Sequence, residues 1–231
     1  MSQTIIKTNI PNYQAIELVE YYDEFAWYYP ECEMQTKGWC VENIKDEWTI
    51  IDCGANIGYY SVLFSKLSPN GKVYAFEPTS TYDKLLANIA HHDCRNIEPI
   101  KMAVGEKTGE LSDRIYKIWG NEPERQKYPF TTLDDFVQEK ELSKIDLIKI
   151  DVDSFDFEVL KGAKNVLKKY DPFIIVELNH ALSNRGSSNM EALDWLIEQG
   201  YTAALVKDND NFILKKEWVI TKRNKKIELF F

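Results

Sequence analysis

The sequence predicts an α/β fold, a seven-stranded and mostly parallel sheet with helices on both faces and a C-terminal antiparallel hairpin. Three observations predict it. From Thr49 onward, strand-like apolar runs alternate with helix-period segments, the pattern of an open parallel sheet covered on both sides. The first run leads into "DCGANIG" (52–58), whose glycines stand where a strand hands over to a helix. Near the end the alternation stops, and two strands follow each other across only a few Asn and Asp residues, which leaves no room for a helical crossover.

Each element follows from its own residues. "WTIIDC" (48–53) is the first strand, and a helix over about 57–67 comes after the glycine turn. "GKVYAFEP" (71–78) is the second strand, stopped by Pro78, and "TYDKLLANIAHH" (81–92) is a helix with Leu85, Leu86 and Ile89 at apolar spacing. "NIEPIKMAV" (96–104) reads as the third strand and "IDLIKIDVD" (145–153) as the fourth, apolar enough to be buried on both faces. One helix is expected over "FDFEVLKGAKNVLKKY" (155–170), a fifth strand over "PFIIVELN" (172–179), and a helix over "NMEALDWLIEQG" (189–200) with Gly200 at its C-terminal cap. "YTAALVKD" (201–208) and "NFILKK" (211–216) form the hairpin.

This divides the chain into an aromatic-rich N-terminal extension (1–48), an α/β domain (49–216) and a short C-terminal extension (217–231) carrying Lys222, Arg223, Lys225 and Lys226. In the first, Tyr21, Tyr22, Phe25, Trp27, Tyr28 and Tyr29 crowd together; they read as packing onto the sheet, as a substrate lid, or as a homo-oligomer contact. The 231 residues are 44% hydrophobic, enough to bury one core. With 37 acidic against 28 basic residues the net charge is -9, which argues against a nucleic-acid partner. No apolar run approaches the roughly 18 residues of a membrane span, and no signal-peptide core opens the chain, so a soluble, cytoplasmic protein is expected. Cys32, Cys40, Cys53 and Cys94 lack zinc or disulfide spacing, and His91, His92 and His180 do not form a helical metal pair.

The turn after the first strand is the usual floor of the ligand crevice in such a sheet. Gly54 lets the backbone turn and come close to a ligand, Asn56 tolerates a left-handed backbone, and Gly58 lets the next helix pack tightly. Asp52 would repel a pyrophosphate and attract an amine. Glu77, at the end of the second strand, is placed to accept from both hydroxyls of a ribose.

The terminal hairpin resembles that of the Rossmann-like class I S-adenosylmethionine-dependent methyltransferases. More specifically, "IDCGANIGYYS", "VYAFEP", "FTTLDDF", "IDLIKIDVDSFDFEVLKGA" and "IIVELN" resemble, in order and spacing, the motifs of FkbM-type methyltransferases over about residues 49–214. One departure stands at Asp153 and Ser154, where that family usually has Glu-Gly. The resemblance implies S-adenosylmethionine as cofactor and methyl transfer to a hydroxyl of a small acceptor such as a sugar, glycan precursor or polyketide. It implies that Asp52, Gly54, Asn56 and Gly58 line the amino-acid end of the donor, Glu77 its ribose, and Met102, Ala103 and Val104 its adenine.

An acceptor hydroxyl must lose a proton, and the ends of strands four and five offer Lys149, Asp151, Asp153, Glu177, Asn179 and His180. Asp151, beside the donor, Glu177 and His180 are the catalytic candidates; Asp153 and Asp156 read as carboxylates at the N-terminus of the following helix, with Asp153 or Ser154 as its cap. No metal is assigned, although Asp151, Glu177 and Asn179 form a hard oxygen set suited to magnesium. The competing readings are an N-methyltransferase on a small amine, a nicotinamide-dependent oxidoreductase, and a non-catalytic ligand-binding protein.

Overall fold

The computed structural model describes residues 4–115, 123 and 125–216, so the C-terminal extension 217–231 lies outside the described residues. A hairpin of β1 (Ile6–Ile10) and β2 (Tyr13–Leu18) comes first, then a 3-10 turn (Asp23–Phe25) and α1 (Met34–Asn43). The α/β part runs β3 (Thr49–Cys53), α2 (Tyr59–Leu67), β4 (Lys72–Phe76), α3 (Tyr82–His91), β5 (Ile97–Ile100), β6 (Ala103–Val104), β7 (Gly109–Asp113), β8 (Gln126–Thr131) and α4 (Leu133–Glu139). It continues with β9 (Leu147–Ile150), α5 (Asp156–Lys161), α6 (Lys164–Tyr170), β10 (Phe173–Glu177), a 3-10 turn (His180–Arg185), α7 (Asn189–Glu198), β11 (Tyr201–Asp208) and β12 (Asn211–Lys216).

Among the described residues, seven strands form the main sheet in the order β11-β12-β10-β9-β3-β4-β5. Neighbours from β10 to β5 are parallel, and β12 runs antiparallel to both β10 and β11. Successive residues of the central strands face opposite layers, as the pleat requires. Ile51, Tyr74 and Ile148 pack with Leu133, Leu160 and Leu167 on one side. Ile50, Val73 and Leu147 pack with Phe64, Leu85 and Trp39 on the other. The second layer also takes in Ile10, Ile16 and Leu18, so the N-terminal hairpin belongs to the core.

Two predicted elements differ. The run 96–104 is not one strand: β5 joins the main sheet, whereas β6 pairs with β8 in a separate three-stranded sheet with β7. The run 155–170 is two helices. Gly162 lies against the backbone of Gly105, where a Cβ would overlap the Gly105 carbonyl oxygen, and its own carbonyl accepts from Asp134 N–H at 3.0 Å. The Asp134 carboxylate then accepts from the Asn165 and Val166 N–H groups at 3.1 and 2.9 Å, a cap for α6 supplied from α4. At the end of α7 the backbone does turn left-handed at Gly200, with φ +96°.

Candidate active site

The chain passes from β3 outward through β4 and β5, then returns to lay β9 on the other side of β3. Strand order therefore reverses between β3 and β9, and a crevice opens at their carboxyl ends. The loop after β3 is pinned there: Gly54 and Ala55 donate to the Phe76 carbonyl at 3.1 and 2.8 Å, and Asp151 N–H donates to Cys53 O at 3.1 Å. Gly54 has φ +81°, and a Cβ there would overlap the carbonyl oxygen of Asp151. Its lack of a side chain thus serves first the passage of the loop across the end of β9, rather than the approach of a ligand. Asn56 takes the left-handed conformation at φ 50°, its Oδ1 accepting from the Ile57 N–H at 2.8 Å. Gly58 lies outside the cavity walls; a Cβ there would stand 2.6 Å from Leu85 Cδ1, so this glycine sets the packing of α2 on α3.

Two cavities share the Gly54–Asn56 loop together with Asp151 and Asp153. The first, about 150 Å³, has Asp52 on its wall. Asp52 is fully buried; its Oδ2 accepts from Ser61 Oγ at 2.5 Å, and its Oδ1 has no partner among the described residues. Burial raises its pKa against the pull of Lys149 and the Ser61 hydroxyl. The second cavity, about 40 Å³, is bounded by Phe76, Met102, Ala103, Val104, Phe130 and Phe155 with Glu77 at its edge. The Glu77 carboxylate accepts from Thr79 N–H at 2.9 Å, Thr79 Oγ1 at 2.6 Å and Asn56 N–H at 3.2 Å. These donors fix its orientation, and burial still raises its pKa.

Asp151 borders both cavities, and its Oδ2 accepts from Lys149 Nζ at 2.8 Å. Lys149 is only 2% exposed, yet its pKa is raised, because Asp151, Asp52 and Glu33 outweigh the penalty of burial. Asp153 also borders both cavities and is no helix cap. It has φ 46°, Ser154 has φ 91°, and Phe155 stands at the N-cap of α5, which has no side-chain cap. Asp156, in the first turn of α5, instead holds the loop before the helix, accepting from the Val152 and Ser154 N–H groups at 3.0 and 3.2 Å. Burial, with Asp151 and Glu77 nearby, pushes the Asp153 carboxyl up to about 7.

Two catalytic candidates are displaced from the cleft. His180 is exposed and borders neither cavity, because the Asn179 Oδ1 caps the turn after β10 by accepting the Ala181 N–H at 2.7 Å and carries His180 outward. Glu177 lines neither cavity, and burial with Asp151, Asp156 and Asp153 pushes it up to about 9. The magnesium set is not assembled: Asn179 Oδ1 is committed to its cap, Asp151 to Lys149, and among the described residues no three His, Cys, Asp or Glu side chains converge to hold a metal.

Residues singled out only in bulk, or not at all, complete the first cavity. Tyr22, Phe25, Tyr28 and Tyr29 wall it from the N-terminal segment, opposite Tyr59 and Tyr60 at the start of α2. Glu33 accepts from Tyr59 OH and, at 2.8 Å, from Asn211 Nδ2. The aromatic density of "YYDEFAWYYPECE" was the signal for that wall; nothing in the sequence distinguished Glu33 from its acidic neighbours.

Residues 52–203 match the family model described as the methyltransferase FkbM domain. The chain belongs to that family. It is 27% identical over 146 residues to the hexuronic acid methyltransferase AglP of Haloferax volcanii, covering 60% of this chain and 59% of that relative. To the methyltransferase sdnD of Sordaria araneosa it is 26% identical over 162 residues, covering 53% of this chain and 62% of the relative. It thus spans about three fifths of these two relatives. Among solved structures it resembles methyltransferase FkbM of Methylobacillus flagellatus KT, with TM-score 0.54 and 16% identity over 74% of this chain and 44% of that one. It also resembles precorrin-6y C5,15-methyltransferase of Geobacter metallireducens GS-15, with TM-score 0.50 and 15% identity over 81% of this chain and 90% of that one. At such identity the likeness establishes the fold, the Rossmann-like methyltransferase sheet. No helix among the described residues is long and apolar enough to cross a membrane.

Proposed function

We propose that this FkbM-family protein transfers a methyl group from S-adenosylmethionine to a hydroxyl of a small polar acceptor such as a sugar. The observation that carries the reading is the buried Asp52 carboxylate whose Oδ1 has no partner among the described residues, set at the topological switch point beside Glu77. Such a cleft suits a ligand with an amine at one end and a ribose at the other. A pyrophosphate there would face Asp52, Asp151 and Asp153, which disfavours a nicotinamide dinucleotide. When bound, the donor supplies a methyl carbon activated by a positively charged sulfur.

In this reading Asp52 binds the donor's amine, Glu77 its ribose hydroxyls, and Met102, Ala103 and Phe130 pack its adenine. Lys149 holds Asp151 in place at the junction of the cavities. Asp153 takes the acceptor's proton, since a carboxyl near 7 is partly ionised at neutral pH and suited to general base catalysis. Glu177 is raised by burial and by the neighbouring carboxylates and lines neither cavity, which favours Asp153 as the base. The relative named for hexuronic acid supports a sugar acceptor. Among the described residues lining the first cavity, the cation is Lys149, already engaged by Asp151, so an uncharged hydroxyl compound suits this wall better than a carboxylate.

Calorimetric titration with S-adenosylmethionine and with NAD tests the donor: binding of the first and not the second is expected, and the reverse overturns the proposal. Labelled donor offered with neutral monosaccharides, uronic acids and small amines then tests the acceptor, with label expected in the neutral sugars. Label in the amines alone would make the protein an N-methyltransferase.

A further inference from the structure

The first cavity combines features that together recognise a positive charge lacking hydrogen-bond donors. Six aromatic rings line it, four from residues 22–29 and two from the start of α2. They are held in place: Tyr28 meets Trp27 and Tyr29 edge-on at centroid distances of 5.9 and 6.3 Å, and Tyr22 OH shares a 2.6 Å hydrogen bond with Thr81 Oγ1. Between the rings stand Asp52, Asp151 and Asp153. Two buried polar atoms on this wall, Asp52 Oδ1 and Tyr60 OH, have no partner among the described residues. One ring already carries a cation, since Lys149 Nζ lies 4.7 Å from the centroid of Tyr60. Burial, then the nearby Glu33, Cys32, Asp151 and Glu177, raise the Tyr28 phenol.

Aromatic faces with carboxylates behind them attract cations that offer no N–H to bond, and the attraction grows as water is excluded. Resting on the donor assigned above, we propose that the N-terminal aromatic segment, with Tyr28 and Phe25 as its principal faces, binds the sulfonium of S-adenosylmethionine and distinguishes donor from product. In methyl transfer the acceptor oxygen bonds to the methyl carbon and the sulfur–methyl bond breaks. The bonding pair stays on sulfur, which becomes a neutral thioether, and the acceptor proton passes to Asp153. The charge held by the rings disappears in that step, so the wall releases the product it helped to form. This gives residues outside the matched family region a role in the reaction cycle, beyond covering the sheet.

The test is calorimetry on the full chain with S-adenosylmethionine and S-adenosylhomocysteine, and it needs no acceptor. Wild type is expected to prefer the methyl donor. Tyr28→Leu and the double variant Phe25→Leu/Tyr28→Leu, checked for native circular dichroism, should weaken the donor roughly tenfold and the product by less than about twofold. Tyr28→Phe, which keeps the ring, should recover most of the lost preference. Equal weakening of both ligands, or no weakening of either, overturns the inference and leaves the donor assignment standing. Failure of both ligands to bind wild type overturns the donor assignment as well.

Discussion

The two cavities over the Gly54–Asn56 loop are neighbours built on opposite chemistry. The one beside Glu77 is an apolar slot between Phe76, Met102, Val104, Phe130 and Phe155, suited to a flat ring system. The one beside Asp52 is walled by tyrosines and carboxylates, suited to charge. Their origins differ as well: the side chains of the slot, from Phe76 to Phe155, lie within the matched region 52–203, whereas the other wall draws on residues 22–29. A shared motif can therefore keep one end of a cleft constant while a segment outside it gives the other end its own character.

Substitutions that act on one cavity and spare the other sharpen this comparison. The largest effect is expected at the junction. Asp153→Asn should lower turnover about 100-fold or more while donor affinity stays within about twofold, measured by label transfer and by calorimetry. Because the base works in its deprotonated form, wild-type turnover should rise as pH passes through about 7, and the variant should lose that rise.

Smaller effects separate the two ends. Asp52→Asn, which keeps an acceptor for Ser61, should weaken S-adenosylmethionine roughly 30-fold and leave adenosine, which lacks the amine, within about twofold. Glu77→Gln should weaken both ligands by roughly tenfold. If Asp52→Asn weakens adenosine equally, the division of labour between the cavities fails. Least affected should be His180→Ala, whose turnover stays within about twofold because an exposed side chain away from the cleft touches no reacting atom.

The sheet was legible because its central strands are apolar on both faces and its helices periodic; the cleft floor was legible because Asp52, Gly54, Asn56 and Glu77 sit at strand ends where the chain must turn. Breaks imposed by distant partners were not. Nothing local marks the parting of β5 from β6, which follows from pairing with β8 across intervening sequence, or the cap that Asp134 places on α6. His180 looked catalytic from its position after a strand, but the turn in which Ala181 N–H donates to Asn179 Oδ1 leaves it exposed and off both cavity walls. Asp153 looked like a cap, but α5 has no side-chain cap, and Asp153 lines both cavities instead. The hairpin β1–β2 turns at Pro11 and Asn12, with Asn12 left-handed at φ 56°, a short signal easily passed over in an extension rich in aromatics.

The turn between β11 and β12 grips the start of α1. Asp208 Oδ2 accepts from the N–H groups of Gln35 and Thr36, each at 3.0 Å, and Asn211 holds Glu33. These bonds join residues more than 170 positions apart. In the order of synthesis, the start of α1 emerges early, yet these partners emerge among the last of the described residues. Contacts of such separation close late, after the entropy of a long loop has been overcome. A nascent chain ending before β11 would therefore carry the aromatic segment without this grip on the helix that follows it.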